Sequence, residues 1–278
     1  MTDILTLVFR TFMSQTEVKK ELTVTPPSPL TCSTLLVGDT SISRSVLLMA
    51  AVTAASEVGM RVMFFTQTQI QSLPVCLQKC VPCLSTESLK KIKFSYPKTL
   101  EELLQQVASL HESTNTSPTP PSLIIVDRLE GYLCGPGGGS HSGLHPGLSC
   151  AAHLSALLCD SAAFLTQLLK QRCSSLAPCR VIASFQSEVD SGQAGREASA
   201  TDPILNVLDR YFQVRCTLDR DRSYEAAAAG LQEVWNIYLS GTGITEASGT
   251  KGCEDRPAVA QEWQLLISPD GSMEFKLV

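Results

Sequence analysis

The stretch LLVGDTSISRSVLL (residues 35–48) constrains the fold more than any other. A short apolar run stops at Gly38, six small or polar residues follow, and a second apolar run, rich in Ala and Leu, continues to Gly59. That is the layout of a buried strand, a tight loop and a helix, with Gly59 suited to the C-terminal cap. RVMFFT (61–66) then reads as a second buried strand. The βαβ unit so formed spans about thirty residues and favours parallel strands with a right-handed crossover.

The rest of the chain repeats the alternation. LKKIKFSYP (89–97) reads as a strand. LEELLQQVASLHE (100–112) carries apolar residues at helical spacing. LIIVD (123–127) is a continuous apolar run closed by an acid, the mark of a central parallel strand. A long helix is expected over 148–171, a strand over 180–186, and a short helix running into a strand over 204–218. VWNIYLS (234–240), EWQLLIS (262–268) and SMEFKLV (272–278) read as late strands, the last two joined by a turn at SPDGS. Alternating βα units followed by strands alone give an α/β fold with a mixed sheet.

Several segments stand outside this frame. Residues 1–30 are expected to form a flexible extension ending in the proline-rich TPPSPL, and 31–278 the folded domain. Residues 72–85 read as irregular. GPGGGSHSGLHPG (135–147), with six glycines and two prolines, cannot be regular structure. Residues 187–203 and 241–261 read as polar loops.

Bulk properties exclude some classes. The 278-residue chain has a formal charge of −5, so any nucleic-acid contact must come from a local patch. The start, MTDILTLVFR, lacks the basic lead of a secretory signal, and no run approaches ~18 uninterrupted apolar residues. The eleven cysteines are then expected to be reduced thiols in a soluble intracellular protein, with no membrane partner.

Residues 38–45 can be set against GxxxxGK[ST], the loop whose amides surround phosphates, whose lysine neutralises them and whose hydroxyl holds Mg²⁺. Gly38 and Ser45 fit; Asp39, Thr40, Ser41 and Ile42 fill the variable positions. Ser43 stands where the second glycine belongs, and Arg44 where the lysine belongs. If that glycine position needs positive φ, a Cβ there costs about 1–2 kcal/mol. The competing interpretation is an ordinary strand-to-helix turn with a serine cap. Asp127 at the end of LIIVD sits where a second Mg²⁺-organising acid is expected, and Gln186 ends RVIASFQ where it could sense a terminal phosphate.

Weaker constellations remain. Lys90, Lys91 and Lys93 with Phe94 and Tyr96 form a basic, aromatic cluster suited to single-stranded nucleic acid; a solvated strand edge is the simpler explanation. Arg196 is the basic residue of the loop 187–203. Cys76, Cys80 and Cys83 supply three closely spaced thiols but no local fourth ligand, so zinc is the less favoured interpretation. His141 and His145 lie in a glycine-rich, solvated setting.

Together, LKKIKFSYPKTLEELLQQVASLHE (89–112), PSLIIVDRLEGYL (121–133), ALLCDSAAFLTQLL (156–169) and LDRYFQVRCTL (208–218) resemble the SWIM-domain-associated recombinase paralogues. That family is the RecA-like subunit of the animal Shu-type complex. The resemblance covers roughly residues 33–278. It implies a RecA-like P-loop NTPase core with a mostly parallel central sheet and antiparallel strands at its C-terminal end. It implies DNA-stimulated ATPase activity with ATP and Mg²⁺, and pairing with a SWIM-type zinc-finger protein. It also implies contact with recombinases, their paralogues and single-stranded DNA, in homologous recombination and meiosis within the nucleus. On the family's pattern, Gly38 to Ser45 would be the Walker A loop, with Ser45 and Asp127 on the Mg²⁺, and Gln186 the sensor.

The departures bear on activity. Ser43 and Arg44 replace the family's glycine and lysine, and FFTQTQI (64–70) offers only Gln67 or Gln69 where a water-orienting glutamate is expected. No Phe-x-x-Ala tetramerisation signature is present. Two functions follow: a DNA- and partner-binding subunit with weakened ATP chemistry, or a competent ATPase using Arg44. A metabolic P-loop kinase ranks last, because acceptor-site signatures are missing.

Overall fold

The computed structural model describes residues 4–13, 33–80, 85–112, 119–134, 146–173, 177–187, 202–221, 233–241 and 259–278. In chain order these form α1 (Ile4–Thr11), β1 (Ser33–Val37), α2 (Thr40–Ser56), β2 (Val62–Phe65), α3 (Val75–Cys80), α4 (Thr86–Leu89), β3 (Ile92–Ser95) and α5 (Leu100–Ala108). There follow β4 (Leu123–Val126), α6 (Leu129–Leu133), α7 (Pro146–Cys173), β5 (Arg180–Phe185), α8 (Pro203–Leu208), β6 (Val214–Asp221), β7 (Glu233–Gly241), β8 (Val259–Ile267) and β9 (Met273–Leu277).

The strands make one sheet in the order β3-β2-β4-β5-β1-β6-β7-β8-β9. All pairs from β3 to β6 are parallel, and β6 to β9 are antiparallel. The parallel half is the part buried on both faces, which is why its strands read as unbroken apolar runs. Alternate side chains divide between two cores. Leu36, Phe64, Ile125 and Ile182 pack with α1 and α2. Leu35, Val37, Phe65, Val126 and Phe185 pack with α5, α6, α7 and α8 on the other face.

The α/β class, the parallel strands and the antiparallel C-terminal strands follow the sequence. Three assignments need correction. First, α1 lies inside the stretch set aside as an extension, yet Ile4, Leu5, Val8 and Phe9 are all buried. Phe9 stacks on Phe275 at 4.7 Å, and the Phe275 amide donates to the Phe12 carbonyl at 2.9 Å. Each such side chain is worth about 1.5–3 kcal/mol over leaving it exposed, and Phe12 and Met13, just after α1, pair with the β9 edge at Phe275. Residues 14–32 lie outside the described ones. Second, α3 occupies part of the segment read as irregular, and α4 ends on Leu89, so the strand read over 89–97 is only Ile92–Ser95. Third, α2 begins at Thr40, not after the loop.

α7 is by length and composition apolar enough to cross a membrane. Its Ala151, Leu154, Leu158, Ala162, Leu165 and Leu169, at helical spacing, are instead buried in the core beneath the sheet.

Candidate functional site

The first βα junction is tighter than the sequence motif implies. Only Gly38 and Asp39 separate β1 from α2. Glycine is required at the first by contact: a Cβ on Gly38 would lie 2.7 Å from Leu218 Cβ and 3.0 Å from its carbonyl oxygen. Asp39 is the N-cap, its Oδ1 accepting the Ser41 amide at 2.8 Å. Burial alone would raise the Asp39 carboxyl. Hydrogen bonds from the Ser41 hydroxyl and from the Ser41 and Ile42 amides, with the nearby Arg220 charge, outweigh burial and hold it below its ordinary value.

Residues 40–43 are therefore the first helical turn rather than an open loop. The Ser43 amide donates to the Asp39 carbonyl at 2.9 Å. Ser43 is 1 % exposed and has no positive φ; the strain expected for a Cβ here is not present. Its hydroxyl is buried without a hydrogen-bond partner. The Ser45 hydroxyl, the expected Mg²⁺ ligand, donates to the Ser41 carbonyl at 3.0 Å. A phosphate cradle needs free, converging amides, and here those of Ser41 and Ser43 are already spent.

Arg44 and Asp127 meet directly. Arg44 Nε donates to Asp127 Oδ2 at 2.8 Å, and its Nη2 donates to Thr68 Oγ1 at 3.0 Å. The Arg44 side chain is 30 % exposed and Asp127 is fully buried. Thr66 Oγ1 (3.0 Å) and Ser184 Oγ (3.4 Å) also donate to the Asp127 carboxylate. The two charges expected to hold a magnesium nucleotide thus neutralise each other. As placed, these residues do not fit Mg²⁺-ATP.

A second buried carboxylate, Glu130, lies three residues past Asp127, a position the motif does not mark. Glu130 Oε2 accepts the Gln186 amide at 3.0 Å, and Oε1 accepts Arg128 Nε at 3.2 Å. Burial pushes the Glu130 carboxyl up, against the lowering effect of those two donors. Arg128 is, among the described residues, the one non-glycine with positive φ, at 63°. Such strain, about 1–3 kcal/mol, persists where neighbours over-determine the backbone. Here the Arg128 amide donates to Ser184 Oγ at 2.8 Å.

Gln186 does come to the site: with Gly38, Asp39 and Ser41 it lines a cavity of about 600 Å³ at the C-terminal ends of the strands. Gln67, the water-orienting candidate, is committed elsewhere, its Nε2 donating to the Lys98 and Gly131 carbonyls.

The lysines are not brought to this site. Lys90 and Lys91 precede β3, and Lys93 is its second residue, at the strand-entry end of an edge strand. Lys90 pairs with Glu87 at 2.9 Å. Phe94 packs against Phe64, with ring centroids 5.3 Å apart, so it belongs to the core and not to a base-stacking face. Cys76 is buried against Met49. Among the described residues no group of three or more His, Cys, Asp or Glu is placed to hold a metal. Arg196, His141, His145 and Cys83 lie outside the described residues.

Known proteins bear on this geometry. No protein-family model matches the chain. The ATPase SWSAP1 of Mus musculus is 36% identical over 193 residues, spanning 67% of this chain and 58% of the mouse protein. The ATPase SWSAP1 of Homo sapiens is 31% identical over 189 residues, spanning 67% of this chain and 71% of the human one. Among solved structures, the RadB recombinase superposes with a TM-score of 0.52 at 13% identity, over 87% of this chain and 90% of that one. That likeness establishes the RecA-type fold. By its similarity to both mammalian proteins, the chain belongs to the ATPase SWSAP1 family.

Proposed function

We propose that this chain is a RecA-fold subunit of a recombination complex that works by binding, with ATP binding and hydrolysis reduced or lost. One observation carries the proposal: Arg44 Nε lies 2.8 Å from the buried Asp127. With the cation and the acid of the nucleotide site spent on each other, a phosphate has neither to meet. The spent amides of Ser41 and Ser43 support the same conclusion. The fold and the family favour recombination as the setting. The resemblance adds a SWIM-type zinc-finger partner in a Shu-type complex, recombinases and their paralogues, single-stranded DNA, meiosis and the nucleus. Lys90, Lys91, Lys93 and Arg196 are the DNA-contact candidates.

The second reading is a competent ATPase. The relatives are named ATPases, Arg44 is partly exposed, and the cavity borders Gly38. Here ATP and Mg²⁺ would have to displace Arg44 from Asp127. Steady-state ATP hydrolysis by the full chain, with and without single-stranded DNA, separates the two. The proposal expects no DNA-stimulated turnover in the native chain. DNA-stimulated turnover that is lost in Asp127→Asn would sink it.

A further inference from the structure

Arg128 has no part in the nucleotide chemistry, yet its backbone is held in a strained form. Its φ of 63° and ψ of 67° are left-handed, and an arginine has a lower-energy right-handed alternative. Three ties select the strained form. The Arg128 amide donates to Ser184 Oγ at 2.8 Å. Its Nε donates at 3.2 Å to Glu130 Oε1, on a side chain only 15 % exposed. The residue before it, Asp127, is fixed by Arg44 at 2.8 Å.

These ties lie on one path. From Arg44 it runs to Asp127, which is covalently joined to Arg128 and also accepts from Ser184 Oγ at 3.4 Å. From Arg128 it runs to Glu130, whose other oxygen accepts the Gln186 amide at 3.0 Å. The next residue, Ser187, donates from Oγ to Asp202 Oδ2 at 3.1 Å. Asp202 caps α8, its Oδ1 accepting the Ile204 amide at 2.9 Å. The path thus joins α2, α6, the end of β5 and α8 across the C-terminal side of the parallel strands. Glu130 is its narrow point: one carboxylate holds both the strained arginine and the Gln186 amide.

We propose that Arg128 is a latched hinge and that Arg44 is the built-in cation that keeps it latched. Arg44 fixes Asp127 and thereby holds Arg128 left-handed, and Glu130 carries that arrangement to Gln186. Hydrogen-bonded networks with two discrete arrangements carry coupling of this kind, and the hinge is the residue that absorbs the backbone change. Gln186, at the place of a phosphate sensor, is set by a guanidinium of the chain itself, so its position does not depend on nucleotide or magnesium. Loss of the Arg44 contact lets Arg128 relax to the right-handed form, which draws Glu130 from the Gln186 amide. The inference rests on the closed nucleotide site proposed above, since a bound magnesium nucleotide would take the place of Arg44 on Asp127.

The test is amide hydrogen exchange of the full chain, read by NMR at Arg128 and Gln186, with Ile182 in the middle of β5 as the internal reference. Arg44→Gln should speed exchange at Arg128 and Gln186 about tenfold relative to Ile182, the equivalent of roughly one net hydrogen bond. Glu130→Ala should do the same at Gln186. Phe9→Leu, which loosens the core far from the path, should speed all three amides together. Millimolar ATP with magnesium should change neither Arg128 nor Gln186 in the native chain. If Gln186 keeps pace with Ile182 in Arg44→Gln, the latch is overturned while the closed site stands. A change at either amide on adding ATP with magnesium to the native chain overturns both. Thermal unfolding reads the hinge without touching Arg44. Arg128→Gly should melt above Arg128→Ala, because glycine meets no Cβ cost at positive φ; an alanine variant as stable as the glycine one, or more so, would show an unstrained hinge and overturn the proposal.

Discussion

Replacing Arg44 by alanine should destabilise the protein well beyond the effect of an ordinary helix-surface substitution. Asp127 is fully buried and keeps its charge balanced through one guanidinium contact at 2.8 Å. Without Arg44, only the Thr66 and Ser184 hydroxyls remain, at 3.0 and 3.4 Å. Removing one partner of a fully buried ion pair costs about 3–5 kcal/mol. Arg44 is 30 % exposed, so water can partly replace it, and the expected cost falls to about 2–3 kcal/mol. In a chain of this size that lowers the melting temperature by roughly 5–10 °C. Asp127→Asn should cost less, about 1 kcal/mol: Thr66 and Ser184 reach different carboxylate oxygens, so the amide oxygen keeps one bond, the other hydroxyl can turn to accept from the amide nitrogen, and Arg44 can turn to solvent. In the double variant the two losses should overlap, leaving a coupling of about 1–2 kcal/mol. Urea unfolding of the four proteins measures all of this. An Arg44→Ala variant within about 0.5 kcal/mol of the native chain, or strict additivity, would refute the claim that the pair closes the site.

Other perturbations probe separate links. Gly38→Ala should destabilise by about 2 kcal/mol or more, read by thermal unfolding, since its Cβ would press to 2.7 Å from that of Leu218. Glu130 titrates above its ordinary value because it is buried. The native state then holds its proton more tightly than the unfolded chain, so its contribution to stability is present below the ordinary carboxyl range and is lost as pH rises through the folded value. Glu130→Gln should remove that fall from a stability–pH profile, and an unaltered profile would contradict the assignment. Arg44→Lys combined with Ser43→Gly should raise nucleotide affinity if the site is only weakened, as read by fluorescence titration with a labelled ATP. Joint replacement of Lys90, Lys91 and Lys93 by glutamine should flatten the salt dependence of single-strand binding by the full chain, provided that edge of the sheet carries the contact; an unchanged slope would remove it.

Much of the architecture is legible in the sequence because both-face burial forces continuous apolar runs. LIIV and RVIASF fall on β4 and β5 residue for residue, or nearly so. α1 escapes because its amphipathic octet ILTLVFRT carries no partner signal: Phe9 is core only once β8 and β9 bring Trp263 and Phe275 to it. The site divides the same way. Gly38, Asp127 and Gln186 are found by their places at strand ends; Gly38 and Gln186 line one cavity, while Asp127 is held by Arg44. What sequence spacing cannot convey is that Thr40 to Ser43 wind into helix, which draws the Arg44 side chain to Asp127, 83 positions away. Glu130 has a local signal, an acid soon after the strand-ending aspartate, but its partner is the Gln186 amide just past the end of β5.

The most direct test is calorimetric titration of ATP with excess Mg²⁺ into the purified full chain. If Arg44 and Asp127 close the nucleotide site, no saturable heat appears up to millimolar ATP. Saturable binding in the micromolar range, abolished in Asp127→Asn, would contradict the account at its centre.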